Sequence, residues 1–498
     1  MASAMRAPCN GGRATGAMQP GCRAPRNLLY VVRVTTFTSI AAFAAHTGAD
    51  AGASPRDAEA RVRDAIAKIL ERAVAGNASQ RIYTQILGSR ACRAVESRGA
   101  ALTPPLFGVP VAIKDNIDVQ GAETSCGRRL ACAPAMASAA IVERLESLGA
   151  IIIGKTNLDE AALGASGRNP RFGRCSNPRF ADRLSGGSSS GSAAAVAAGH
   201  ALLGIGTDTL GSVRIPAAFC GIVGFKPSHG RLSMAGVAPL YPRFDSLGLL
   251  APSLADIENV ARLTLGDNAP PGASQSAVLD AGHDPARRIA VLDDAALADV
   301  QTEVATAYRH CVALLEESRE IESRAAPRLD WTALAHAAFW EVAHEFAECS
   351  ADASPGSRAP GYGAPGYGAP GYRPLHDIDG ELGRVLAKAA SRPATKLADG
   401  RILIQQSASG LTRCLHEAEA VLTPTCPQSA PPVQENPVSH IAAFTAPANA
   451  AGLPAVVWSQ RLAIGPLSLQ LIGRYGDDLR LLGLASRVQR HLDLNCGN

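Results

Sequence analysis

The sequence predicts an α/β protein, with a mixed or mostly parallel sheet covered by helices. Short apolar runs alternate with segments of helical periodicity along the body of the chain. Loops of glycine, serine and threonine sit beside several of those runs. The 498 residues are 47% hydrophobic, enough for a large buried core. Length alone leaves one large domain or two to three smaller ones open.

The recognisable body begins near Ser54. Ser54, Pro55 and Asp57 read as a helix start, with a cap residue, a proline and an early acid. Val62, Ile66, Ile69, Leu70 and Ala73 then share one helical face, and Gly76–Asn77 marks the stop. Phe107 to Ile113 reads as a buried strand that delivers Lys114 at its end. Ile141, Val142, Leu145 and Leu148 mark a helix, and Ala150 to Gly154 a second strand. Another helix is expected from Ser192 to His200, with strands at Phe219–Phe225 and Ile289–Leu292. Residues 299–350 read as helical. Ala420–Thr423 and Leu467–Ile472 read as strands, and Asp477–His491 as a closing helix.

Two segments stand apart. Residues 1–50 are expected to be an extension, disordered or belonging to a mis-assigned start. The competing reading is a signal peptide, from the apolar run Val34–Ala45 behind several arginines. Residues 353–374 hold APGYG at Ala359 and Ala364 and APGY at Ala369, which precludes a helix or central strand. They read as a surface loop. A sharper alternative is a lid using Tyr362, Tyr367 or Tyr372.

The formal net charge is +4, but Arg6, Arg13, Arg23, Arg26 and Arg33 precede residue 50 without any Lys or acid, so the remainder carries −1. No nucleic-acid surface is therefore expected on the body. No apolar run long enough to span a membrane follows, so no membrane partner is expected. The 12 cysteines contain no CxxC pair, which argues for reduced thiols, a cytoplasmic body and no metal site. Export remains the alternative if residues 1–45 are a signal peptide.

Three motifs carry chemistry: VAIKDN around Lys114, GGSSSGS around Ser188 and GTDTLGS ending at Ser212. GGSSSGS runs directly into an apolar helical segment, which a linker would not do. It lacks the lysine of a phosphate loop. Glycines in GTDTLGS let backbone N–H groups converge on one oxygen. Asp208 and Arg214 are expected to pin that loop by hydrogen bonding. Lys114 follows the apolar VPVAI run, so partial burial should lower its pKa and make it a base. Together the three residues offer a hydroxyl nucleophile, a relay and an amine base, with no cofactor.

From Ser54 to His491 the chain resembles the amidase signature family, serine hydrolases with a Ser-Ser-Lys triad. The matching blocks are KDN at 114–116, GKTNLDE at 154–160, SGGSSSGSAAAVAAG at 185–199, GTDTLGSVRIPAAFCGIVGFKPSHGRLS at 206–233 and FTAPANAAGLPA at 444–455. The resemblance implies one α/β domain over 54–495, with a mixed, largely parallel sheet of about eleven strands. It implies that Ser212 is the nucleophile, Ser188 the relay after a cis peptide bond and Lys114 the base. Backbone N–H groups of Thr209, Leu210, Gly211 and Ser212 would form the oxyanion hole. Residues near 300–400 would roof the acyl pocket. Leu210 departs from the family, which usually has glycine there, and Ser190 replaces another usual glycine.

The expected function is hydrolysis of the C–N bond of a small non-peptide amide. The expected partner is that small molecule alone, with a homodimer open. Two rivals stand beside it. One is the glutaminase (A-type) subunit of a glutamyl-tRNA(Gln)/aspartyl-tRNA(Asn) amidotransferase. The other is a catalytically silent scaffold.

Overall fold

Eleven strands among the described residues form one sheet. In chain order they are β1 Tyr83–Ile86, β2 Pro110–Lys114, β3 Ile151–Thr156, β4 Leu203–Asp208, β5 Val223–Lys226, β6 Ser246–Ala251, β7 Arg287–Val291, β8 Ile321–Ala325, β9 Ala420–Pro424, β10 Ala455–Gln460 and β11 Leu467–Gly473. The computed structural model describes residues 37–48, 55–96, 104–128, 133–266, 287–351, 378, 380–460 and 467–495. The tyrosine-bearing repeats and the arginines before residue 34 lie outside those residues.

The sheet order is β1-β3-β2-β4-β6-β5-β10-β11-β9-β7-β8. Its parallel character is confined to two regions. β2 runs parallel to β3 and β4, and β7 runs parallel to β8 and β9. The stretch β4-β6-β5-β10-β11-β9 is antiparallel throughout, as is the edge pair β1–β3.

Successive strand residues face opposite sides, and the core follows that alternation. Val111, Ile113, Val456 and Trp458 pack on the side covered by helices Ala140–Ser147, Leu254–Leu265, Thr302–Glu317 and Asp478–Asn495. Ala112 and Val457 pack on the other side, against helix Pro55–Gln80 and helix Ser190–Ala197. Val62, Ile66, Ile69, Leu70 and Ala73 of the long helix are all buried, as their spacing predicted.

Four segments differ from expectation. The first long helix continues past Gly76–Asn77 to Gln80. Asn77 bonds both ways to the backbone of Tyr83, and Arg81 turns the chain at φ 53°. Phe219 and Cys220 end the helix Arg214–Cys220 instead of opening a strand. Gly221 turns the chain at φ 65°, and β5 starts at Val223. An apolar run of that length fits either state by periodicity. Residues 299–350 hold β8 between helices Thr302–Glu317 and Trp331–Ala351. Glu322 and Arg324 are exposed on this edge strand, so it carries no apolar stripe. Lastly, within the segment read as an extension, Ile40–Thr47 is a helix capped by Ser39. It buries Ile40 and Phe43, and Ile40 N–H donates to Asp256 Oδ1 at 2.8 Å.

No helix among the described residues is long and apolar enough to cross a membrane.

Candidate active site

Lys114 closes β2, where all five residues are buried. Its Nζ lies 2.8 Å from Ser188 Oγ and 2.8 Å from Thr207 Oγ1, with the Thr207 carbonyl at 3.4 Å. Burial lowers its pKa to about 7, against the pull of the Asp159, Asp208 and Asp245 carboxylates. A neutral amine has two N–H donors and one lone pair. The three contacts suit that form, with the lone pair free to accept from the Ser188 hydroxyl.

Ser188 is fully buried, and the Gly187–Ser188 peptide bond is cis. Gly187 is required by close approach, since a Cβ there would stand 1.9 Å from Asp159 Oδ2. Asp159 itself accepts from the Ser166 N–H, the Ser166 hydroxyl and the Gly167 N–H. The next residue ties the two loops together: Ser189 N–H donates to the Ser212 carbonyl at 3.0 Å, and Ser189 Oγ donates to the Thr207 carbonyl. Helix Ser190–Ala197 starts two residues earlier than its sequence pattern suggested.

The third loop leaves β4 at Asp208. That carboxylate accepts from the N–H groups of Gly211 and Val213, at 2.9 and 3.1 Å. It forms a fully buried ion pair with Arg214 at 2.8 Å. Burial alone would raise the Asp208 pKa, but the Arg214 guanidinium, with Asn449, overrides it and holds the carboxyl well below its usual range. Arg214 also donates to the Thr445 carbonyl, Gln470 Oε1 and Asn449 Oδ1. The pair thus clamps the loop to the distant block 444–452.

Of the four N–H groups expected for an oxyanion hole, that of Gly211 is committed to Asp208. Those of Thr209, Leu210 and Ser212 have no partner among the described residues. Gly211 has φ 119°, and a Cβ there would stand 2.2 Å from Thr445 Oγ1. Leu210 is not among the described non-glycine residues with positive φ, so its N–H keeps an ordinary backbone geometry. Its side chain packs with the cluster that holds Leu240, Tyr241 and Phe244.

Ser212 lines a cleft of about 1190 Å³, whereas Ser188 and Lys114 are fully buried. Cleft walls come from residues 159–174, 335–340, 380–392 and 436–442. Leu210, Phe339, Trp340 and Leu382 give it apolar surface, and Arg168, Arg174 and Arg392 bring charge. Among the described residues no hydrogen bond joins the Ser188 and Ser212 hydroxyls. Such bonds commonly tighten only once substrate is bound. No group of three or more His, Cys, Asp or Glu is placed to hold a metal among the described residues.

Sequence reasoning brought Lys114, Ser188 and Ser212 forward but missed their support. Thr207 holds Lys114 and accepts from Asn116 Nδ2. Asp115, next to Lys114, pairs with the fully buried Lys155 at 2.9 Å. Asn449 and Gln470 lie more than 230 residues from the loop they anchor. Asn116, Lys155 and Asn449 lie inside the quoted motif blocks. Thr207 does too, but nothing in local spacing singles these four out.

The fold, with Lys114 and Ser188 buried behind a cleft that Ser212 lines, is that of a hydrolase acting on carbon–nitrogen bonds. The chain belongs to the amidase family, whose model matches residues 62–482, and it is an enzyme acting on carbon–nitrogen bonds outside peptides. It is 34% identical over 422 residues to the A-type subunit of glutamyl-tRNA(Gln) amidotransferase from Symbiobacterium thermophilum, covering 78% of this chain and 83% of that one. It is 33% identical over 430 residues to the protein of the same name from Roseiflexus sp. (strain RS-1), covering 82% and 88%. A solved structure from a vestigial protein complex, bearing on the origins of an s-triazine catabolic enzyme, superposes with a TM-score of 0.72 at 26% identity, covering 87% and 95%.

These relatives correct one expectation. A small-molecule partner alone, with no nucleic acid, was read from the charge of the body and from the resemblance. The two amidotransferase relatives are named as subunits of an enzyme of glutamyl-tRNA(Gln). Net charge failed as a guide because it reports a chain's own surface, not what an assembly containing such a chain acts on.

Proposed function

We propose that the chain opens a carboxamide through an acyl-enzyme on Ser212, as the amide-hydrolysing subunit of an amidotransferase. The observation that carries the chemistry is the 2.8 Å contact between Lys114 Nζ and Ser188 Oγ in a site where both are fully buried. Ser212 Oγ attacks the carbonyl carbon. Its proton passes to Ser188 while the Ser188 proton passes to the neutral Lys114 amine. The carbonyl oxygen gains negative charge beside the free N–H groups of Thr209, Leu210 and Ser212. The relay then returns the proton to nitrogen as the C–N bond breaks. Ammonia leaves, and water hydrolyses the acyl group from Ser212.

The choice of substrate is supported by the two relatives named as amidotransferase subunits, each at least 33% identical over some four-fifths of both chains. Glutamine is then the ammonia donor, and partner subunits receive it. The test is ammonia release from L-glutamine by the purified chain, alone and with the remaining subunits of that enzyme and glutamyl-tRNA(Gln). Glutamine hydrolysis that rises with the subunits and tRNA supports the reading.

One observation favours a second reading, a free-standing amidase. Leu210, Phe339, Trp340 and Leu382 make much of the cleft apolar, which suits an uncharged amide. Fast turnover of such amides by the chain alone, with glutamine untouched, would replace the first reading with this one.

A further inference from the structure

We propose that Arg174 is the anion-binding residue of the cleft, so that the amide this chain accepts carries a carboxylate. The proposal deepens the reading of the cleft as the place of amide hydrolysis and rests on it.

Arg174 and Ser212 line the same cleft. The Arg174 side chain makes no hydrogen bond or ion pair among the described residues, and its Nη1 is shielded from solvent without a partner. A guanidinium keeps its charge and offers five N–H donors. Nη1 is closed to solvent, so a ligand in the cleft would meet the charge through the remaining N–H donors of the guanidinium, none of which is taken among the described residues.

Nearby arginines are already engaged. Arg168 donates to the Val433 and Glu435 carbonyls and to Asn436. Arg171 donates to the Arg128 carbonyl and stacks on Phe172. Arg392 lies over the Trp340 ring at 4.8 Å. The carboxylates of the cleft do not neutralise Arg174 either. Asp159 is taken by Ser166 and Gly167, Glu160 has interactions of its own, and Glu381 is exposed at the start of helix Gly380–Ala390.

The backbone around Arg174 is tied on both sides. Gly173 N–H donates to the Asn169 carbonyl, and Cys175 N–H donates to the Gly167 carbonyl. Asn157 Nδ2 donates to the Gly173 carbonyl at 3.0 Å. Asn169 Oδ1 accepts from the N–H groups of Arg171 and Phe172. A guanidinium fork matches a carboxylate in bidentate geometry, and the tied backbone fixes the point from which it reaches into the cleft.

The test uses the full chain and two probes of similar size, succinamate and the uncharged butyramide. Each is measured for its power to slow fluorophosphonate labelling of Ser212. Succinamate should protect the wild type at about tenfold lower concentration than butyramide, the scale of one charge-assisted hydrogen bond. Arg174→Gln should abolish that ratio, and Arg174→Lys should restore part of it. Equal protection by the two amides in the wild type overturns the proposal, as does a ratio that survives in Arg174→Gln. Because a ratio is read, a general weakening of the site does not imitate the expected result. If the wild type is not labelled at all, the acyl-enzyme reading has failed instead. Calorimetric binding of succinamate then decides the proposal: binding lost in Arg174→Gln upholds it, and binding unchanged overturns it.

Discussion

Lys114 Nζ and Ser188 Oγ stand 2.8 Å apart, and neither residue has measurable exposure to solvent. Burial is what makes the contact chemically useful. In water a lysine holds its proton far above neutrality, whereas here the pKa falls to about 7. The neutral fraction of Lys114 grows as pH rises through that value. Ammonia release should therefore climb between about pH 6 and 8 and then level off, and a kcat/KM profile against pH checks it. A flat profile across that range would separate Lys114 from the rate.

The same shift predicts a stability effect of definite sign. Between about 7 and the ordinary value of 10.5 the unfolded chain holds a proton that folded Lys114 has lost. The unfolded state binds more protons in that window, so stability rises with pH across it. Below about 7 both states are protonated and the cost of burying the charge is complete. Lys226, also fully buried and lowered to about 7 by burial, adds in the same direction. Lys114→Met should therefore gain on the wild type more at pH 6 than at pH 9 in urea denaturation.

Arg214 and Asp208 form the clamp of the loop that carries Ser212. Arg214→Leu leaves a buried carboxylate unpaired and strips donors from Thr445, Gln470 and Asn449. A loss of about 3–5 kcal/mol is expected from breaking such a pair, read as a lowered urea midpoint. A variant within about 0.5 kcal/mol of the wild type would show that the clamp is not structural.

Gly211 has no room for a side chain and sits at a φ that other residues avoid. Gly211→Ala should push the loop away from Thr445 and misalign the free N–H groups beside it. Loss of one oxyanion donor costs about 10²–10³ in kcat, so a fall of that order is expected in single-turnover assays. Wild-type kcat in that variant would remove the loop from the chemistry.

Much of this site was legible in the sequence because small residues crowd where backbones meet. Lys114, Ser188 and Ser212 each lie in such a loop beside an apolar run, and the structure brings the three loops to one place. Their support was not legible, because it comes from partners far along the chain. Asn449 and Gln470 reach Arg214 across 235 and 256 residues, and a polar residue in a buried helix or strand announces no partner. The same limit applies to fold. β2, β3 and β9 open on continuous apolar runs and β11 sets a leucine at every second position up to Leu471, so all four were readable. β8 alternates charged residues at the sheet edge, and the Arg214–Cys220 helix is too short to display a helical period. Nothing in the sequence shows that the Gly211 N–H, one of the four expected oxyanion donors, is committed to the Asp208 carboxylate.

The rate of fluorophosphonate labelling at Ser212, followed against pH in the wild type and in Lys114→Ala, tests the proposed relay most directly. The account predicts labelling that rises through about pH 7, depends on Ser212 and falls by orders of magnitude without the lysine. Labelling that survives in Ser212→Ala, or that keeps its wild-type rate and pH dependence in Lys114→Ala, would contradict it.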